Sequence, residues 1–198
     1  MRRVNRGRLE AFSDGVLAIL ITITVLELRV PVGSDWRALR PEVPVFLTYA
    51  LSFVYIGIYW NNHHHLLKAC HRVNARIMWA NLLLLFALSL FPFATGWAGR
   101  NSFREAPTIF YGCVLLAAGS AYYVLQSFIV AGEGGADSEL ARALGSDRQG
   151  RYSLVIYAVG IGVAFAVPWV AGLLYVVVAL IWLVPDRRLE PLIDEPDD

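Results

Sequence analysis

Five long apolar runs constrain this chain more than any other feature. A helix needs about 20 apolar residues to cross a hydrocarbon core of roughly 30 Å. Four runs meet that length, over residues 9–30, 43–67, 77–97 and 108–131. The first is too long and uninterrupted for a signal-peptide h-region, and no A-x-A-like cleavage site follows it. The fifth, residues 152–184, is too long for one untilted span and short for two. Gly160, Gly162, Pro168 and Gly172 punctuate it. Proline suits the first turn of a helix and disrupts an interior. We read two short spans, 152–167 and 169–184, with a tight turn near Val167–Trp169. One long kinked helix is the alternative.

Composition narrows the class. The chain is 57% apolar and only 17% charged, with a mean hydropathy of +0.53. A soluble domain carries about 25% charged residues, so a disordered chain is excluded and an ordinary soluble enzyme disfavoured. A net charge of +1 excludes a strongly basic nucleic-acid binder. Cys70 and Cys113 are the only cysteines, too few for a disulfide framework. The fold class expected is an all-α integral membrane protein.

The basic residues orient it. With six spans, twelve of the seventeen Lys and Arg fall on the N-terminal side, from Arg2, Arg3, Arg6 and Arg8 through Arg187 and Arg188. Five fall opposite: Arg29, Arg37, Arg40, Arg100 and Arg104. Five spans would weaken the bias to ten against seven. The positive-inside rule therefore selects six spans with both termini cytoplasmic, in the cell (inner) membrane. The polar loop 132–150 is then cytoplasmic, with a short surface helix around 137–144. Residues 185–198 read as an acidic, proline-containing cytoplasmic tail, and residues 1–184 as one transmembrane domain.

Ionisable groups inside a span are costly, so each is a functional hypothesis. The first span carries Asp14 near its start and Glu27 near its outer end; the second carries Asn61, Asn62 and the run His63, His64, His65; the third carries Asn81. Bland readings stand beside these. Glu27 and Arg29 can sit at the outer interface, where charges snorkel, and an acid such as Asp14 in a first turn suits the helix dipole. Successive histidines on a helix point about 100° apart, so the three cannot share one ion. His64, Lys68 and His71 do share a face, beside Cys70, which leaves a metal or haem site conceivable.

The first span has two faces. At about 100° per residue, Ile19, Thr22, Ile23 and Leu26 share one narrow face, with Asp14 on the opposite side. Periodicity alone reads that stripe as packing or lipid-facing surface.

Residues 8–14, Arg-Leu-Glu-Ala-Phe-Ser-Asp, open this span as R-x-x-x-F-S-D, and the run leaves through V-L-E-L-R-V-P at 25–31. The pattern closely resembles the first helix of the transmembrane protein 175 family, the lysosomal and bacterial potassium channels. Two further matches support it. Trp60-Asn61-Asn62-His63 is similar to the W-x-x-H of the family's second helix, and Asn81 with Phe91-Pro92-Phe93 is similar to the N and P-F of its third. The motifs cover the first half of the chain. The N-N-H-H-H run is richer in histidine than the pattern.

The resemblance implies six helices per subunit, a homotetramer for a one-repeat chain, and a central pore lined by the first helix of each subunit. It implies no T-V-G-Y-G carbonyl filter. Carried over residue by residue, Ile19 matches the hydrophobic constriction, Thr22 a polar ring one turn on, and Leu26 a further apolar ring, with Ile23 between them. Arg8, Phe12, Ser13 and Asp14 match the signature, which in the family contacts the second and third helices; here those contacts fall to Trp60, His63 and Asn81. The function implied is a modestly potassium-selective cation channel, not an enzyme. Its partners are potassium ions in transit at Ile19, Thr22 and Leu26, the lipid bilayer and its own copies, with no cofactor and no nucleic acid.

Rival classes remain at this stage. A proton- or cation-coupled transporter would use Asp14 and the histidines as a relay. A redox protein would hold haem through histidine, and a purely structural membrane protein would carry no flux.

Overall fold

A computed structural model describes residues 5–144 and 147–183, and all regular structure among them is helical. The acidic tail and Arg2, Arg3, Arg187 and Arg188 lie outside the described residues. α1 (Arg6–Thr24) begins at Asn5, whose side-chain oxygen accepts from the Gly7 N–H at 3.0 Å, satisfying one of the first-turn amides that a helix leaves unpaired. A 3₁₀ turn, Val25–Glu27, closes it, and Leu28 is already extended. The helix therefore stops short of Val30, where the apolar run ends. Val30 precedes Pro31, and the residue before proline is pushed out of helical conformation.

A 3₁₀ segment, Trp36–Glu42, leads into α2 (Val43–Lys68), with Pro44 in its first turn. The third apolar run is broken. α3 (Ala75–Ser89) and α4 (Phe91–Arg100) meet at Leu90, with Pro92 opening α4. Proline has no N–H to donate back one turn, and its ring crowds the carbonyl there. Beyond α4 the chain reverses through Ser102 and Phe103, at φ 47° and 55°. Their amides bond back to Gly99 and Ala98, a Schellman closure. α5 (Glu105–Gly132) follows, then the short α6 (Glu139–Leu144), α7 (Arg148–Ala164) and α8 (Pro168–Leu183). The turn between α7 and α8 is Phe165–Val167, with Pro168 at the first helical position.

Four helical stretches are long and apolar enough to cross a membrane: Arg6–Glu27, Trp36–Lys68, Ala75–Arg100 and Glu105–Gly132. Both α7, with 17 residues, and α8, with 16, are shorter.

α2, α4, α5, α7 and α8 pack around an aromatic centre. Tyr55 meets Phe91 and Tyr157, and Tyr111 meets Tyr175, with ring centroids 6.1–6.3 Å apart. Buried hydroxyls are mostly hydrogen-bonded. Tyr55 donates to the Tyr175 carbonyl at 2.5 Å, and Ser52 joins Thr95 at 2.6 Å and Tyr111 at 2.8 Å. The Tyr175 ring fits because its neighbours at 112 and 160 are glycines; a Cβ at either would overlap it. α1 lies outside this centre, against α2, α3 and α4.

Candidate functional site

The two faces of α1 have different fates. Leu9, Ser13, Leu17, Leu20 and Thr24 are buried, one stripe facing the bundle. Ile19, Thr22, Ile23 and Leu26 are exposed, Ile19 to 56% and Leu26 to 74%. The four residues of the periodic face thus lie together on an open surface. Thr22 donates its hydroxyl hydrogen to the Ile19 carbonyl at 2.9 Å.

The N-terminal half of the buried face is held by polar bonds. Asn81 on α3 sits between α1 and α2. Its Nδ2 donates to the Ser13 hydroxyl at 2.9 Å, and its Oδ1 meets His63 Nε2 at 2.6 Å. Ser13 in turn donates to the Leu9 carbonyl at 2.9 Å. Because Oδ1 can only accept, His63 must carry its proton on Nε2. All three polar side chains are buried.

Two more contacts flank this core. The Trp60 indole N–H donates to Asp14 at 3.1 Å. His64 Nδ1 lies 2.8 Å from Glu10. One turn lower, Arg6 donates to the Lys68 carbonyl at 3.0 Å. Ser13, Asp14, Trp60, His63 and Asn81 are thus brought together along one seam. Arg8 and Phe12 are not: both are exposed on the open side of α1, and Arg8 has no side-chain partner among the described residues.

The histidine run resolves by direction. His63 turns inward to Asn81 and His64 toward Glu10. His71 faces Glu133 at 2.8 Å, not His64. Among the described residues no three His, Cys, Asp or Glu side chains converge as metal ligands would.

Just past the C-terminal end of α1, Glu27 pairs with Arg100 on α4, at 2.6 Å, rather than with Arg29. The carboxylate lies over Gly96, where a Cβ would overlap it. The sequence reading missed both Arg100 and Gly96, which lie about 70 residues from Glu27. It also missed Glu10, although an acid in the first turns of a span was itself a signal.

Helices of this length and apolarity define an α-helical integral membrane protein. A family model described as the endosomal/lysosomal potassium channel TMEM175 matches residues 8–92. The protein named potassium channel HX13_20290, from Chryseobacterium sp. (strain P1-3), is 50% identical over 192 residues, covering 97% of this chain and 100% of its own. The chain belongs to the TMEM175 family, one of ion channels and not of enzymes. The crystal structure of a lysosomal potassium-selective channel TMEM175 homologue from Chamaesiphon minutus superposes with a TM-score of 0.76 at 25% identity. It covers 91% of this chain and 97% of its own, so the likeness extends well past the opening motifs. A Gallus gallus relative named endosomal/lysosomal proton channel TMEM175 is 32% identical over 127 residues, 57% of this chain and 25% of its own.

Proposed function

We propose that this protein is a potassium-permeable channel of the inner membrane, with four copies each lending α1 to a central pore. The observation that carries the reading is the exposed stripe Ile19, Thr22, Ile23 and Leu26, on a helix whose opposite face is bonded into its own subunit. The names of the bacterial relatives supply the ion. α7 and α8 serve as the fifth and sixth spans, and both termini face the cytoplasm, with residues 185–198 as an acidic tail there.

The selectivity mechanism follows from the side chains. Rings of Ile19 and Leu26 offer no charge and no carbonyl, so they cannot replace a hydration shell as a carbonyl filter does. They act by constriction, Ile19 being the narrowest, and potassium passes because its hydration shell is the easier to distort. Thr22 has committed its hydrogen to the helix, which leaves oxygen lone pairs for a passing cation. Selectivity over sodium is therefore modest.

The test is potassium-gradient flux through purified protein in liposomes, repeated with sodium and with a pH gradient. Potassium flux above sodium, with the ratio reduced by Ile19→Ala, is expected. An unchanged ratio in that variant removes Ile19 as the constriction. A second reading, proton passage, is favoured by the name of the Gallus relative. Proton flux that persists without potassium would establish it. A relay through Asp14 and the histidines is less well supported, because Asp14, His63 and His64 bond to separate partners. The Asn81 amide also interrupts proton hopping.

A further inference from the structure

A groove runs between α3 and α5. Its first part, about 370 Å³, is lined by Arg76, Trp79, Leu83, Val124 and Phe128. Its second part, about 220 Å³, shares Leu83 and Val124 and continues past Phe86 to Leu90. The sequence builds it. Trp79, Leu83, Phe86 and Leu90 recur at i, i+4, i+7 and i+11 as one wall. Ala80, Ala87, Ala117 and Ala121 keep the floor low.

The groove is apolar along its length and basic at one end. From Arg76 to Leu90 it follows α3 for about 21 Å at 1.5 Å per residue. One leaflet's share of a ~30 Å core is about 15 Å, so a single acyl chain fits it. Arg76 stands in the first turn of α3, exposed, with no side-chain partner among the described residues. Arg72, just before the helix, is exposed too. Trp79, one turn further along and 68% exposed, is the kind of side chain that favours a membrane–water interface. A guanidinium without a carboxylate, above an apolar channel, is the complement of a phosphate above an acyl chain.

We propose that this groove is a binding site for an anionic phospholipid of the leaflet facing the N-terminal side of the protein. Its phosphate bonds to Arg76 and one acyl chain lies between α3 and α5. The site tethers α3, which carries Asn81, to α5, and through Asn81 it bears on α1.

The experiment is native mass spectrometry of the purified full chain, with phosphatidylglycerol and phosphatidylcholine of identical acyl chains as probes. The wild type is expected to retain phosphatidylglycerol preferentially. Arg76→Gln should lower that preference about fivefold, the factor one arginine near an anionic surface supplies. Arg76→Lys should keep most of it. Ala121→Phe fills the groove floor and should reduce retention of both lipids. Equal retention of the two lipids by the wild type overturns the proposal, as does an unchanged preference in Arg76→Gln. So does efficient cross-linking of Leu83→Cys between copies, which would show a second copy covering this face. Retention is read without ion flux, so it succeeds or fails separately from the channel reading. Elution volume and helical circular dichroism confirm that each variant is folded; if Ala121→Phe is not, the Arg76 pair still decides.

Discussion

Replacing Asn81 with leucine should loosen α1 from its bundle by an amount the geometry bounds. The change keeps the number and branching of the side chain's heavy atoms and removes two interhelical bonds, one to Ser13 at 2.9 Å and one to His63 at 2.6 Å. Interhelical side-chain bonds in membranes average about 0.6 kcal/mol and reach about 1.7, so the pair contributes roughly 1–3.5 kcal/mol. The two ends of the break are unequal. Ser13 keeps its bond to the Leu9 carbonyl. The other ring nitrogen of His63, Nδ1, is buried and unbonded, so Asn81 is the ring's one hydrogen-bond partner among the described residues. Orphaning a buried polar group costs about 1–3 kcal/mol. A total near 2–4 kcal/mol is expected, most of it from the His63 side.

A double-mutant cycle separates the parts. Ser13→Ala alone should cost about 1 kcal/mol, the typical net value of one such bond. Combined with Asn81→Leu it should add almost nothing, because the bond is already gone. His63→Phe combined with Asn81→Leu should cost markedly less than the two singles together. The assay is reversible unfolding in mixed micelles, followed by helical circular dichroism. A cost for Asn81→Leu below about 0.5 kcal/mol, or strict additivity with His63→Phe, would refute a bonded seam between α1, α2 and α3.

Three further expectations follow from particular contacts. Gly96→Ala should displace the Glu27 carboxylate and weaken its pair with Arg100; an exposed pair contributes about 0.2–1 kcal/mol, so the loss should be small and shrink in high salt. Gly112→Ala should cost more, about 1–3 kcal/mol, because the new methyl meets the Tyr175 ring in a packed interior; thermal unfolding reads both. Cys70, in the loop between α2 and α3, should react with maleimide far more slowly than a free thiol at pH 7.5, since burial pushes its thiol up and the thiolate is the reactive form. Rapid labelling there would mean that the loop opens.

The sequence made some of this arrangement legible and hid the rest for physical reasons. The two-faced character of α1 follows from periodicity, because a helix fixes which residues share a side. That Ile19 and Leu26 face outward was not decidable from periodicity, since packing and open stripes look alike until neighbouring helices are placed. Among the three histidines, helix geometry alone did not choose; the W-x-x-H resemblance pointed to His63, and the position of Asn81 shows why. The break at Leu90 was written in Pro92, yet the apolar run continues through it, so hydropathy reads one span where the backbone makes two helices. Contacts between distant residues left no local trace. Glu27 carries the same side chain whether it snorkels to water or reaches Arg100, and only the missing Cβ of Gly96 makes room for the second.

These features share one logic. In the pore we propose, α1 turns a mostly apolar stripe toward its copies, and such a surface gives it no reason to keep one orientation. Orientation has to come from the opposite face, through directional bonds rather than burial, because apolar packing in lipid distinguishes poorly between faces. α1 carries that division along its length. Below, Arg6, Glu10, Ser13 and Asp14 each take a different partner on α2 or α3. Above, Glu27 takes Arg100 on α4. Between them lies the stretch from Ile19 to Leu26, whose side chains make no bond to another helix among the described residues. Fixed at both ends, such a segment can rotate or tilt only if one set of bonds yields. In the channel we propose, the seam at Asn81 and the clasp at Arg100 are therefore what would set how far the Ile19 side chains of neighbouring copies stand apart.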